Sequence, residues 1–479
     1  MSLARIRRVW PRLGLCVLGA AGVTACNLAP VYTVPAVTTP VTYKEVGDWQ
    51  PAQPADAISR GAWWGVYHDP TLDSLEAQVD AANPTLRAAA AAYEQARSFE
   101  AEAEAGLFPR LDVGGSLSTN KQSANRPLRG GGEPTYYGAN TLDGTASYEV
   151  DLWGRVRDAV AAARAQTEAG AADLESVRLM LHAELATNYV GLRGLDEQAK
   201  LLADTVSTYN EAYDLTKALF EGKIASPIDV TRARTQLHDA KAQLSDIAGR
   251  RALLEHAIAA LVGKSAAEVT VAPQPIHFTV PNVPVGIPST LLQRRPDIAS
   301  AERRAAASNQ LVGIARSAFF PSISLTGTAG FQNTSLNLLT LPETIWSVGP
   351  SMSLPLFEGG LLRAKLRAAK AAFDESSEHY RATVLDAFRE VEDNLSMLHW
   401  LDDQGRQEDE AAHAAQETVD MSMTLYRNGA SSYLDVVTAQ TSALEAQRAV
   451  LALQTRRVQA SIGLIRALGG GWSTADASS

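Results

Sequence analysis

Side chains able to attack a substrate, bind a metal or shuttle a proton are few in this chain of 479 residues, and their spacing argues against an active site. The eight histidines, His68, His182, His238, His256, His277, His379, His399 and His413, fall at no metal-ligand spacing. Acidic pairs such as Glu390 with Glu392-Asp393 lie in a long helical pattern, where a solvated face is their ordinary place. No glycine-rich loop is set to cradle phosphate, and no nucleophile stands on a strand-to-helix elbow. What remains is two cysteines, Cys16 and Cys26, and two aspartates, Asp229 and Asp435, in matching turns between helices. An aspartate there can cap the helix and complement its dipole. The chain is therefore not expected to be an enzyme, and no cofactor or metal is implied.

The cysteines belong to an export signal. Arg5, Arg7, Arg8 and Arg12 form a positive region, and residues 13–23 form an apolar core too short to span a bilayer. The site after it, Val23-Thr-Ala-Cys26, resembles the lipobox of bacterial lipoproteins, in which the cysteine becomes the first residue and carries an N-acyl and S-diacylglycerol lipid. Cys26 is thus the expected lipidation site. Cys16 leaves with the signal, so the mature chain can form no internal disulfide. Asn27 follows the cysteine, and by the same resemblance a residue other than aspartate there sends the protein to the outer membrane. The net charge of −10, near −14 once the four arginines are removed, argues against a nucleic-acid partner.

Behind these residues stands a duplicated framework. Asn83-Pro84 matches Arg295-Pro296, and Phe108-Pro109 matches Phe320-Pro321, at one offset of about 212 residues. In each case a helical pattern stops at the second proline and becomes a period-2 strand. Tyr148-Glu-Val-Asp-Leu-Trp-Gly154 corresponds to Met352-Ser-Leu-Pro-Leu-Phe-Glu-Gly359. Phe220-Glu-Gly-Lys-Ile-Ala-Ser-Pro-Ile-Asp229 corresponds to Tyr426-Arg-Asn-Gly-Ala-Ser-Ser-Tyr-Leu-Asp435, with the offset now about 206. Loops differ in length while the elements persist.

The expected organisation is a signal peptide (1–25), a lipidated extended arm (26–66), a first repeat (67–263), a connector with room for a short strand (264–290), a second repeat (291–468) and a tail (469–479). Each repeat reads as a helix, a β-hairpin, a very long helix and a final helix. Leu111, Val113 and Leu117 alternate with polar residues, as do Ala146, Tyr148, Val150 and Leu152 on the return strand. Ile323, Leu325, Ala329 and Phe331 do the same, and so do Trp346, Val348, Met352 and Leu354. Residues 121–137, with Pro127, three consecutive glycines and Pro134, read as a loop. The long patterns at 155–220 and 361–426 hold coiled-coil steps of three and four and would each run roughly 100 Å. Helices of about 36 residues at 72–107 and 227–261 would stack end to end beside one of them. Strands of about ten residues, apolar on one side, have the reach of transmembrane β-strands, yet four cannot close a barrel.

Several strings together are similar to the TolC-type outer-membrane factors, most closely the lipidated OprM/NodT branch: Trp63-Trp-Gly-Val-Tyr-His-Asp-Pro70, Asn83-Pro-Thr-Leu86, Tyr148-Glu-Val-Asp-Leu-Trp-Gly-Arg155, Arg294-Arg-Pro-Asp-Ile298, Ala301-Glu-Arg-Arg304 and Phe319-Phe-Pro-Ser-Ile-Ser-Leu-Thr-Gly327. The resemblance implies a mainly α protein with a transmembrane β-barrel. In it a homotrimer pools four strands per chain into a twelve-stranded outer-membrane barrel, continued by a periplasmic α-helical barrel. It also implies a passive exit duct for drugs or other small molecules, in outer-membrane lipid, working with a periplasmic adaptor and an inner-membrane transporter. On that alignment Leu434 and Asp435 fall at the periplasmic gate, where Asp435 would form a ring of three carboxylates. Thr438 stands where many relatives carry aspartate and Ser431 where some carry arginine. Gly222, Lys223, Pro227, Gly429, Ser432 and Tyr433 match the turns that face the adaptor, although Gly222 and Gly429 could equally be glycines that end helices in a left-handed conformation. The competing reading is a structural periplasmic coiled-coil lipoprotein, which leaves the amphipathic strands without a role.

Overall fold

A computed structural model describes residues 27–40, 42–45, 61–123, 125, 132, 134–274, 278–281, 294–337 and 339–470. The expected signal peptide, Cys26, Trp49, most of the connector beyond residue 281 and the tail from residue 471 lie outside them. The elements are α1 (Pro70–Ala82), α2 (Pro84–Ala105), β1 (Arg110–Lys121), β2 (Tyr136–Glu149), α3 (Arg155–Glu221), α4 (Pro227–Leu261), α5 (Pro296–Ser317), β3 (Ser322–Asn333), β4 (Thr344–Ser353), α6 (Leu361–Arg427) and α7 (Tyr433–Ala467). Prolines open α1, α2, α4 and α5, where a missing N–H costs nothing. Asn83 separates α1 from α2, so the long first pattern is two helices. The described part of the connector, residues 264–274 and 278–281, holds one short 3-10 turn at Ala266–Glu268 and no strand.

The chain divides into two compact units. The first comprises Met1–Pro35, Glu94–Ala169 and Glu302–His379 and contains the sheet. Its four strands run antiparallel in the order β1-β2-β3-β4, leaving β1 and β4 as edges. Register aligns the sequence alternation across the sheet: Leu111 lies opposite Ala146, Ala146 opposite Gly327, and Gly327 opposite Val348. One residue along, Asp112, Thr145, Thr328 and Ser347 make the matching polar row. The apolar face is bare. Leu111, Val113, Trp346, Val348 and Met352 are 70–84% exposed.

β2 begins ten residues before the expected return strand. Between Tyr136 and Ala146 it puts Gly138, Asn140 and Gly144 on the face where only Leu142 is apolar, so the alternation is silent while the backbone pairing is complete. Val150 and Leu152 lie beyond the strand, although the Val150 N–H still donates to the Ile323 carbonyl at 2.8 Å. Two strings singled out in the sequence then meet: Trp153 stacks on Phe320 at 4.8 Å, and its Nε1 donates to the Pro321 carbonyl at 2.8 Å. Asp151 caps α3 through the N–H groups of Val156 and Arg157. Burial works against its charge, but those N–H groups and the Arg157 guanidinium outweigh it and hold the carboxyl below its usual range.

The second unit comprises Ala36–Tyr93, Gly170–Ala301 and Tyr380–Ser479 and holds the main apolar core. Trp63, Trp64, Tyr67 and Leu72 pack there with Leu185, Tyr189, Leu395 and Ile462. Beside the core runs a buried polar chain. Asp69 caps α1 and accepts from the Tyr189 hydroxyl at 2.7 Å, Tyr189 accepts from Arg193, and Arg193 reaches Asp196 at 3.1 Å and the Ala272 carbonyl at 2.7 Å. Asp196 also receives Arg251 at 2.7 Å and the Gln274 N–H at 3.0 Å. These bonds tie the start of the connector to α3 and α4.

The duplication is visible atom by atom. Asn83 Nδ2 donates to the Leu261 carbonyl at 2.7 Å, and its repeat counterpart Arg295 donates to the Ala467 carbonyl at 3.0 Å. Both carbonyls end the last helix of their own repeat. Gly263 and Gly469 follow those helix ends with φ of 73° and 88°. A Cβ on Gly263 would press into the Ala82 carbonyl, and one on Gly469 would lie 2.8 Å from the Arg294 carbonyl oxygen. Each repeat is thus closed by a polar donor before a proline and a left-handed glycine. Gly263→Ala should destabilise the second unit by roughly 1–3 kcal/mol, whereas Gly249→Ala, at an open helical position, should gain about 1 kcal/mol. Thermal unfolding followed by helical circular dichroism would compare them, and equal melting temperatures would remove the clamp.

Candidate functional site

The expected site residues gather at two helix turns in the second unit. α3 ends with the N–H of Gly222 donating to Ala218, of Lys223 to Phe220 and of Ile224 to Leu219. α6 ends in the same way, with the Gly429 N–H donating to Tyr426 and the Ala430 N–H to Leu425. The left-handed residue of the second turn is Gly429, with φ of 70°. In the first turn it is Lys223, with φ of 62°, rather than Gly222. Lys223 is the residue that matches Gly429 at the repeat offset, and a lysine there bears strain that glycine would not.

Matching capping boxes open the next helices. Ser226 and Asp229 start α4, with Pro227 at its first position, and Ser432 and Asp435 start α7. The Asp435 carboxylate accepts from both the N–H and the hydroxyl of Ser432 at 3.0 Å. Asp229 accepts from the Ser226 N–H at 3.3 Å. The aspartates therefore do the helix-starting job anticipated from sequence, and Asp435 remains exposed.

Leu434 is 46% exposed and shares the open side of α7 with Asp435 and Thr438. Gly222, Lys223, Pro227, Gly429 and Ser432 are exposed as well. Tyr433 is not. It is 2% exposed, packed with Ala233 and Val436, and its ring lies 5.2 Å from that of Tyr426. Its side chain holds the turn together from within and presents no docking surface, a correction to the expected set. A groove of about 490 Å³ that the sequence did not announce opens beside the first turn, between Ile228, Arg232 and Asp239 of α4 and Val437 and Thr441 of α7.

One further cluster carries chemistry. His182 Nδ1 lies 2.6 Å from Glu76 Oε2 and Nε2 lies 3.3 Å from Asp80 Oδ1, while Trp64 stacks on the imidazole at 4.5 Å. Arg178 bridges Asp80 to Glu175 above it. Glu76 is fully buried and its Oε1 has no partner. Burial pushes its carboxyl up to about 7, against the hydrogen bond and charge of His182, with Asp80 and Asp73 adding to the rise. Among the described residues no group of His, Cys, Asp or Glu is placed to hold a metal. No described helix is long and apolar enough to cross a membrane, which says nothing of the sheet.

The sequence matches the family model described as outer membrane efflux protein over residues 75–264 and 287–470. It is 32% identical over 450 residues to the probable efflux pump outer membrane protein TtgC of Pseudomonas putida, covering 93% of both chains. Against the pyoverdine export outer membrane protein OpmQ of Pseudomonas aeruginosa it is 30% identical over 426 residues, covering 88% of this chain and 89% of the relative. The fold is similar to that of the Campylobacter jejuni CmeC outer membrane channel, with a TM-score of 0.87, 25% identity, and coverage of 94% of this chain and 96% of that one.

The raised Glu76 has a signed consequence for stability. The folded state keeps this proton up to about pH 7, whereas the unfolded chain releases it near 4.5. Stability should therefore fall as pH rises from about 4.5 to 7 and level off above, by at most about 3 kcal/mol. Glu76→Gln should flatten that slope. Denaturant midpoints at pH 5 and pH 8 would measure it, and equal slopes for both proteins would mean that Glu76 is already ionised in the fold.

Proposed function

The chain belongs to the outer membrane efflux protein family, and from that premise we propose that it is the outer-membrane channel of a tripartite efflux system, a passive exit duct for small molecules. The observation that carries this reading is the bare apolar face of the four-stranded sheet. In water such a face would have to be covered; in a bilayer it faces the solvent it suits, and the row of Asp112, Thr145, Thr328 and Ser347 lines the bore. Three copies pooling four strands each would close a twelve-stranded barrel with no edge left in lipid.

The other components follow from what a passive duct lacks. Energy and selection come from an inner-membrane transporter, reached through a periplasmic adaptor. Gly222, Lys223, Pro227, Gly429 and Ser432 are the surface we assign to the adaptor, with the groove beside Arg232 as its continuation. Lys223 supports that assignment, because a strained lysine where the other repeat has glycine is retained for what its ammonium can bind. Leu434 and Asp435 would form the closable end, with three carboxylates brought together by the trimer. Their mutual repulsion and attraction for cations would set the resting state.

Lipidation at Cys26 fits the path of the arm. Just after it, Leu28 and Pro30 are held through their carbonyls by Arg316 at 3.1 Å and Asn309 at 2.8 Å, and the Tyr32 hydroxyl donates to Glu302 at 2.7 Å. The arm thus lies along α5 in the unit that carries the sheet. A lipid on its first residue would be anchored beside the barrel.

Two experiments test the reading. Val348→Arg should cost about 2–4 kcal/mol in lipid and abolish heat-modifiable assembly in outer-membrane fractions, while Ser347→Arg should assemble; equal behaviour of the two would place the sheet outside the membrane. Asp435→Ala should raise the resting conductance of reconstituted trimers. Asp229→Ala removes the matching cap and should leave current unchanged, so a rise in both would reduce Asp435 to a helix cap.

A further inference from the structure

α6 starts with cations that no carboxylate among the described residues answers. Arg363, Lys365, Arg367 and Lys370 are exposed, no acid intervenes before Asp374, and none of the four has an ion pair among the described residues. Positive charge in the first turns of a helix opposes its dipole, so the run is unfavourable as it stands.

The first repeat shows what is missing. Arg157 and Arg363 each lie two residues into their long helix, and Arg164 and Lys370 each lie nine residues in. Arg157 pairs with Asp151 at 3.1 Å, and Arg164 meets Glu100 at 3.2 Å and Glu104 at 3.5 Å on α2. In the second repeat the position of Asp151 is Pro355, and those of Glu100, Glu102 and Glu104 on α5 are Val312, Ile314 and Arg316. The cations have persisted while their carboxylates have gone.

Sheet topology says where replacement carboxylates would come from. β1 and β4 are the edges, α2 leads into β1, and α6 follows β4. Closing the barrel pairs β4 of one copy with β1 of the next, which sets α6 beside the next copy's α2 as α3 lies beside its own. At the height of Lys370 that neighbour offers the stretch from Glu100 to Glu104. Glu100 and Glu104 face their own α3. Glu102, two residues from each, points to the opposite side of the helix, is exposed and has no partner among the described residues.

We propose that Glu102 pairs across the subunit seam with Arg367 and Lys370 of the neighbouring copy, which stand three residues apart on one side of α6. The partner surface is thus a second copy of this chain, recognised by complementary charge just below the barrel. This rests on the trimer proposed above. The seam also gives the sheet edges a register, because a one-residue slip would part the charges while it moved apolar side chains into the bore.

A charge swap in the full-length protein tests it, read as the temperature at which the unheated trimer band disappears from outer-membrane extracts. Glu102→Arg and Arg367→Glu should each lower that temperature by roughly 5 °C, and the double variant, which reverses every seam, should recover most of the loss. A double variant no better than the sum of the singles would overturn the pairing. So would single variants that matter only when anionic phospholipid is present, since the cations would then be binding headgroups. If the unmodified protein gave no trimer, the duct itself would fall, which is a separate failure.

Discussion

An open sheet edge in lipid leaves backbone N–H and C=O groups with no partner, and that constraint organises the molecule. Each unpaired group costs several kcal/mol in hydrocarbon. Here β1 and β4 are both free, while β2 and β3 join the hairpins of the two repeats into one surface. Duplication therefore solves half of the problem, because two hairpins make four strands and still leave two edges. In the trimer proposed above, another copy would supply the rest. The same requirement would account for Glu102 on α2 and for Arg363, Lys365, Arg367 and Lys370 on α6, the helices attached to the edge strands, which have no ion pair among the described residues, while Arg157 and Arg164 of α3, attached to an inner strand, are matched.

Where the repeats agree, the cause is structural, and where they part, function enters. Both close with a donor before a proline and a left-handed glycine after the last helix, although one donor is an asparagine and the other an arginine. The arginine does more, since it also holds Glu390 at 2.7 Å and Asp297 at 2.6 Å. Both turns carry a serine and aspartate capping box, yet one places lysine in the left-handed position and the other glycine. A structural need alone would have converged on glycine. The repeats diverge at Lys223, which stands where the other has glycine, and at Pro355, Val312 and Arg316, which stand where the first repeat has the carboxylates that hold Arg157 and Arg164.

Much of the fold was legible because its signals are long and mutually consistent. Prolines fixed where helices begin, period-2 alternation located the strands, and three-and-four steps held over many turns identified α3 and α6. The part of β2 before Ala146 escaped because Gly138, Asn140 and Gly144 leave Leu142 as an isolated apolar residue on their face of the strand. Asp435 was legible as a helix start because the serine three residues before it completes a capping box. The inward turn of Tyr433 was not, since it depends on Tyr426 and Ala233 from other helices. Nor was the seam, because a charge on a long helix looks solvated until its repeat counterpart is seen to be paired.

The asymmetry between the two turns bears on how such a duct would be gripped and opened. The trimer proposed above would present two kinds of turn in alternation, one with a lysine in a left-handed conformation and one with a glycine followed by the exposed Leu434 and Asp435. A partner that binds both must satisfy a cation at one and an anion at the next. Binding that neutralised Asp435 would also remove the repulsion within the ring of three. If the proposed gate and docking surface hold, docking and opening would be coupled through charge. Behind the turns Tyr209 donates to the Gln440 carbonyl at 3.2 Å and Gln236 to the Gln440 side chain at 3.1 Å, bonds that would keep such a motion to the last turns. The chain needs no catalytic group for this.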